Sequence, residues 1–352
     1  MASSHTDART SSNDDATRGS AQDRAQDPAQ DPSPEGGDGS GEAGQQGGES
    51  TRTVIIAFFA NLAIAIAKSV VAVISGSASM LAEAAHSWAD TGNQVLLFVA
   101  DRKSRKGPDA SHPFGYGRDA YVWSMFAAMG LFVAGAVVSL WNGVMKLFAE
   151  SGEQEDYTLA YIVLAVAFVF EGISFAQAFQ QTRSEAKEYD RDIFEHALET
   201  SDPTLRAVFA EDSAALTGLV LAALGIFLHQ VTGQVIFDAL GSLAVGVVLA
   251  VVAVVLIQRN RAFLTGEESD PKLREGAVAR LKGYDEVDRV CYLRMEYVGP
   301  RKVLLIASVD LAGDDRETAV AQRLRDLERR VESDPHVVEA VITLATPDDQ
   351  AL

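Results

Sequence analysis

His86 and Asp90 stand four residues apart in the string HSWAD, and Glu211 and Asp212 stand side by side in AEDSAALTG. On a helix, residues three or four apart share a face. An imidazole nitrogen and a carboxylate oxygen at that spacing supply half of a tetrahedral shell suited to a borderline cation such as Zn2+. Glu83, His86, Asp90 and Asn93 continue one face, with Gln94 beside it, while the rest of SASMLAEAAHSWADTGNQVLLFVA is small or apolar. Three uses fit such a stripe: hydrogen-bonding glue between helices, a metal site, or a proton relay. The metal reading requires a second helix to supply the other half of the shell, and Asp212 is the candidate there. Glu211 has the longer reach, but adjacent helical residues differ by about 100° in direction, so the two cannot face the same way. Two adjacent buried acids are costly without a cation or protons.

Other ionisable residues also fall in apolar surroundings. Lys68 and Glu171 each must be neutral, snorkelling or paired, and an ion pair with one another is an available solution. Glu171 is further a candidate for proton or metal passage. His112, in HPFGYGR, and His196, in DRDIFEHALETSDPT, lie in connections. His196 reads as a solvated loop histidine.

The elements that must position these groups are long apolar segments. The chain has 352 residues, 47% hydrophobic and 22% charged, and the two classes are segregated. Six stretches approach the ~20 residues that a helix needs to cross ~30 Å of hydrocarbon: about 54–75, 78–100, 120–148, 157–180, 205–229 and 235–258. The second and fifth carry the acids and the histidine, as expected of helices lining a protein interior instead of facing lipid. Arg102, Lys103, Arg105, Lys106 and Arg118 follow span two, and Arg259 and Arg261 follow span six, whereas the connection after span three, FAESGEQEDY, is acidic. By the positive-inside rule both termini are cytoplasmic.

Residues 1 to 50 are Ser, Gly, Asp, Glu, Gln and Ala with almost no large apolar side chain, the composition of a disordered acidic tail. The tail lacks both a basic n-region with an apolar core and the make-up of a transit peptide, so the first apolar segment reads as a retained anchor. A single cysteine, Cys291, excludes an intramolecular disulfide and a thiolate cluster. The formal net charge of −19 argues against a nucleic-acid partner.

From about residue 263 the pattern becomes that of a soluble domain. DPKLREGAVARLKGY and DRETAVAQRLRDLERRVE read as amphipathic helices. VDRVCYLRMEYV, KVLLIASVDLAG and HVVEAVITLAT read as strands, the first two joined by a turn at Gly299-Pro300. The order αββαβ predicts a small helix-on-sheet domain of ferredoxin-like type, regulatory or dimerising in role. The expected architecture is therefore an α-helical polytopic membrane protein: a tail over 1–50, a six-helix domain over 51–262 and a cytoplasmic domain over 263–352.

GSASMLAEAAHSWADTGNQ followed by HPFGYGRDAYVWS, together with EDSAALTG and VIFDALGSLAVGVVLAVVAVVLI, resembles the cation diffusion facilitator family of zinc transporters over roughly residues 52 to 350. The resemblance implies a homodimer of six-span subunits in the lipid bilayer, exporting Zn2+ or another divalent cation, usually in exchange for protons. Zn2+ would be cargo, with no resident cofactor. Its transport site is a pair of residues four apart on span two and another on span five, and His86 and Asp90 match the first pair. Most zinc-transporting members carry HxxxD on span five, where alignment on Asp212 places Val208 at the histidine position. Glu211 beside Asp212 is the arrangement of a branch that shares the HSxxDTxNQ and DPTxxxVxxED strings. Either Glu211 completes the shell or the shell has three protein ligands.

His112 matches a loop position resembling an accessory metal or gating site in some relatives; the alternative is a turn residue at the start of span three. The strands here carry none of the histidines that bind further zinc in many relatives, so the expected cytoplasmic domain dimerises without a dense zinc cluster.

The charge balance then implies an antiport cycle. With neutral His86 and ionised Asp90 and Asp212, a divalent cation brings the local sum near zero, and its departure leaves bare carboxylates that take up protons. No phosphate loop of the GxxxxGK[ST] kind is present, and an enzyme is not expected. The alternatives are a metal-binding membrane sensor or scaffold with little transport, or an exporter of Fe2+, Co2+ or Mn2+. His86 argues against a purely hard-oxygen manganese site. The Ala-, Arg- and Asp-rich composition suggests a bacterial source and hence the plasma membrane.

Overall fold

The computed structural model describes residues 42–148 and 157–352, with side chains from residue 58 onward except those of Phe132 and Glu188. Most of the expected acidic tail, up to residue 41, and the acidic connection at 149–156 lie outside the described residues.

Helices build the first part of the chain. They are α1 (Glu42–Ser75), α2 (Ala78–Ser104), α3 (Asp119–Gly130), α4 (Val138–Leu147), α5 (Thr158–Glu188), α6 (Ile193–Glu199), α7 (Pro203–Thr232) and α8 (Ile236–Leu264). A π-helical segment, Leu131–Val137, joins α3 to α4 in one continuous rod. Among the described residues, five rods are long and apolar enough to cross a membrane: Phe58–Ser75 of α1, Asp119–Leu147, Thr158–Lys187 of α5, and the whole of α7 and α8. These correspond to five of the six expected spans. Helix α2, at 27 residues, is long enough to cross, about 40 Å at 1.5 Å per residue. It falls short in apolar character because Glu83, His86, Asp90 and Asn93 interrupt it. Its polar face is turned inward, with Glu83, His86 and Asn93 buried.

Local sequence explains the ends of these helices. Asp202 caps α7, accepting from the backbone N–H of Thr204 and Leu205, with Pro203 at the first helical position. Gly233, in the left-handed region at φ 72°, closes it. Helix α2 is capped from outside its own element. Ser77 accepts from Met80 N–H at 3.1 Å, and Asp238 of α8 accepts from Ser77 Oγ (2.6 Å) and from the backbone N–H of Ala78 and Ser79. A buried carboxylate therefore sits on the positive end of the α2 dipole.

The C-terminal part follows the expected αββαβ order: α9 (Pro271–Lys282), β1 (Val287–Gly299), β2 (Lys302–Leu311), α10 (Glu317–Glu332) and β3 (Val337–Leu344). The sheet order is β1-β2-β3, with β1 and β2 antiparallel and β2 and β3 parallel. The parallel pair is reached through α10, the crossover that parallel strands require. Alternate residues of β2, Val303, Leu305, Ala307 and Val309, are buried against Leu281 of α9 and Leu327 and Val331 of α10. Three strands with two helices form a small helix-on-sheet domain, as the αββαβ order predicts.

The β1–β2 turn meets the helical domain. Gly299 packs on Gly117, just before α3, so closely that a Cβ on Gly117 would stand 2.6 Å from the Val298 carbonyl oxygen. Arg118 pairs with Glu296 at 2.5 Å, and Arg301, at φ 56°, donates its backbone N–H to Ser201 Oγ.

The segment between α5 and α7 differs from the loop expected of it. It contains α6, capped by Asp192, and His196 on that helix is buried, stacked on Tyr189 with its Nε2 3.4 Å from Glu185 Oε2. The solvated loop histidine is thus corrected. Packing of α6 beneath the helix ends buries the ring, which short-range composition does not reveal.

Candidate metal-transport site

Four elements converge on the candidate ligands. On α2 the i, i+4 spacing brings His86 Nε2 within 3.4 Å of Asp90 Oδ2, with His86 fully buried. On α7 the two acids point to different neighbours, as the rotation of about 100° between adjacent residues demands. Glu211 faces α2 and accepts a short hydrogen bond from Asn93 Nδ2. Asp212 faces α5 and accepts from Ser174 Oγ at 2.7 Å. Glu171, one turn before Ser174 on α5, lines a small gap with Asp90, Ser87, Asn61 and Ile64.

The structure therefore brings the stripe into contact with Glu211 of α7, through Asn93, and leaves Asp212 on Ser174 of α5, without gathering the candidate ligands into one shell. Among the described residues, no three His, Cys, Asp or Glu side chains stand in metal-holding geometry. Several buried atoms of this region lack a hydrogen-bond partner: Oδ1 of Asp90 and Asn93, Oε1 of Gln94 and Glu211, and both ring nitrogens of His86. Each such atom carries an uncompensated desolvation penalty of roughly 1–3 kcal/mol, so a concentration of them marks a place where a polar ligand would be favoured.

The pairing expected of the intramembrane charges is corrected. Lys68, fully buried on α1, donates to Glu83 Oε2 at 3.1 Å and to Ser87 Oγ at 2.8 Å, so its ion-pair partner is Glu83 and not Glu171. The α1 helix lies against α2 here, as the hydrogen bond from Trp88 Nε1 to Ser69 Oγ also shows, and that proximity decides the pair.

His112 lies apart from this region. It sits in an exposed turn, exchanging backbone hydrogen bonds with Asp109 and stacking on Tyr116 at 3.8 Å. Hydrogen bonds from Ser111, Lys106 and Tyr116 hold the Asp109 carboxyl below the usual carboxylate range. The turn alternative describes its surroundings.

Three residues of consequence carry little sequence signal. Ser174 is one turn from Glu171, and that spacing on a candidate helix was the available clue. Asp238 lies near the start of an apolar run, where a capping role on another helix leaves no local pattern. Arg206, four residues into α7, is buried: it donates to the Thr200 carbonyl (2.6 Å) and to Asn260 Oδ1 (2.7 Å), and Asn260 in turn donates to Ser124 Oγ. Those bonds tie α3, α7 and α8 together below the acids.

Comparison with known proteins identifies the family. The model of the cation efflux transmembrane domain matches residues 54–264, the stretch holding all the candidate ligands. The chain is 35% identical over 264 residues to metal tolerance protein C4 of Arabidopsis thaliana, covering 75% of this chain and 58% of that protein. It is 34% identical over 241 residues to the mitochondrial proton-coupled zinc antiporter SLC30A9 of Homo sapiens, covering 68% of this chain and 42% of that one. It is also 23% identical over 296 residues to an uncharacterized transporter, MJ0449, of Methanocaldococcus jannaschii, 82% of this chain and 98% of that protein. The chain thus spans about half the length of the plant and human relatives. A cation-efflux domain over most of the helical part, with five apolar helices, makes this a multi-pass membrane protein. The chain belongs to the cation diffusion facilitator family.

Proposed function

We propose that this protein is a proton-coupled exporter of a divalent cation, with Zn2+ the best match, and that His86, Asp90, Asp212 and Glu211 supply the ion's shell. The single observation that carries the reading is the Asn93–Glu211 hydrogen bond, which joins the helix of the His86–Asp90 pair to the helix of the two acids among apolar helices. Helix α2 is the sixth span, its polar face covered by the other helices, which leaves both termini on the cytoplasmic side. The subunit works as a homodimer in a bacterial plasma membrane. The name of the human relative, a proton-coupled zinc antiporter, supports the choice of ion and coupling.

The mechanism follows from the donor set. One imidazole and carboxylates suit a borderline cation better than an all-oxygen shell would. Asp212 must turn from Ser174 to join His86 and Asp90, whereas Glu211 can keep one oxygen on Asn93 and offer its unpartnered Oε1, so loading the ion exchanges the Ser174 hydrogen bond for coordination. When the ion leaves, bare carboxylates in a low-dielectric interior are costly, and protons take its place. If the site opens alternately to the two sides, competition between ion and protons for one set of groups is an antiport cycle. Glu171, beside Asp90 in the small gap, is placed to pass protons.

The test uses purified protein in liposomes with a zinc-sensitive dye inside and an imposed pH gradient. Uptake should follow the gradient and be lost in Asp90→Ala. Uptake that ignores the gradient and survives that substitution would overturn the reading. Tight Zn2+ binding without uptake would point instead to a sensor, and faster uptake of Fe2+, Co2+ or Mn2+ would change the cargo.

A further inference from the structure

The Lys68–Glu83 pair is the one full ionic contact among the described membrane helices with both side chains completely buried. Stability does not require it, because a well-packed apolar pair of similar volume serves a buried site as well or better, while removing one partner alone is severe. Its position is more telling. Glu83 stands one turn before His86 on the same face of α2, within the ~5–6 Å that separates the Cβ atoms of helical neighbours three apart. Lys68 holds one Glu83 oxygen. The other, Oε1, is buried without a hydrogen-bond partner. It lies against α7 at Gly218, where even a Cβ would come within 2.5 Å of it. A carboxylate with a free oxygen therefore sits on the α2–α7 seam, beside the imidazole proposed as a ligand. With no ammonium to hold it, the Glu83 carboxylate, one turn from His86, would be available as an additional oxygen donor for an ion there.

An added carboxylate changes what a shell prefers. Mixed imidazole and carboxylate sites favour borderline cations, whereas carboxylate-rich sites suit Mn2+ and other hard cations. We propose that Lys68 is a specificity-determining residue: by holding the Glu83 carboxylate, it keeps that group out of the transported ion's shell and so preserves the preference for Zn2+ over oxygen-preferring cations. Ser87, the ammonium's second partner at 2.8 Å, fixes the lysine on the Glu83 side of α2. This inference rests on the reading of the chain as a divalent-cation exporter.

The experiment compares Zn2+ and Mn2+ uptake by the full chain in liposomes under a pH gradient, as kcat/KM for each ion. Lys68→Met should raise the Mn2+/Zn2+ ratio about tenfold, a change of ~1.4 kcal/mol between the two ions. It should also lower both KM and turnover for Zn2+, as expected of a shell that holds the ion too well. Lys68→Met with Glu83→Leu should restore the wild-type ratio, and Lys68→Arg should retain it. Lys68→Leu, which like methionine cannot donate to the carboxylate, gives the same reading as Lys68→Met if the latter does not fold. A wild type that moves neither ion overturns the exporter reading and this inference with it. A wild type that moves Zn2+, with an unchanged ratio in the Met and Leu variants, overturns this inference alone. So does an altered ratio that persists in the double variant.

Discussion

Asn93 of α2 donates its side-chain amide to the Glu211 carboxylate of α7, joining the two helices that carry the proposed ligands. The bond sets the side of α7 that faces α2: Glu211 is turned toward the stripe and Asp212 toward Ser174 of α5. A residue that orients a ligand without binding the ion itself acts on affinity more than on chemistry. Loss of such an outer partner typically costs 10–100-fold in metal affinity or activity.

Asn93→Ala should therefore raise the KM for Zn2+ about tenfold or more while leaving a measurable maximal rate. Concentration-dependent uptake in liposomes checks this. A fall in maximal rate with KM unchanged would assign Asn93 to the conformational cycle instead.

Arg206 is buried with bonds to Thr200 and Asn260 and lies over the Phe263 ring at 5.0 Å. Arg206→Ala strips a carbonyl and an amide oxygen of their donor and opens a void. The expected loss of stability is roughly 3–5 kcal/mol, and thermal unfolding in detergent measures it. Asn260→Ala should destabilise in the same direction but by less, because Arg206 keeps its Thr200 contact.

Gly117 and Gly299 approach so closely that neither leaves space for a methyl group; a Cβ on Gly299 would stand 2.7 Å from the Gly117 Cα. Since the obstructing atoms are backbone, relief requires the β1–β2 turn to move. Gly117→Ala should cost ~1–3 kcal/mol and should speed proteolysis between the helical and sheet domains. Limited proteolysis with wild type as the reference tests that.

Asp334 accepts from the backbone N–H and Nδ1 of His336 and pairs with Arg280. The His336 N–H, followed by its ring and the guanidinium, holds this carboxyl below its ordinary value of 3.8. A depressed carboxyl stabilises the folded form above the unfolded value, and the contribution is lost as pH falls through the folded one. Asp334→Asn should lower the melting temperature at neutral pH by an amount equivalent to about 1 kcal/mol, and the gap to wild type should close below pH 3.8. Melting curves at neutral and strongly acid pH would reveal a gap that stays constant, the outcome against this assignment.

Much of this protein is legible from residue order because its signals are local. A polar stripe at positions 83, 86, 90 and 93 follows from helical periodicity alone, and β2 alternates inward and outward with the period of a strand. The αββαβ order, the Gly299-Pro300 turn and five apolar rods could be read from short windows. Such windows state which residues share a face of one element. They are silent on what that face meets, since the rotation and depth of each helix are set by packing over the whole bundle. The partner of Lys68, the opposite orientations of Glu211 and Asp212, the cap that Asp238 places on α2 and the burial of His196 were decided at that level. Each joins residues brought together by neighbouring helices, where the desolvation of a buried charge makes the choice of partner obligatory.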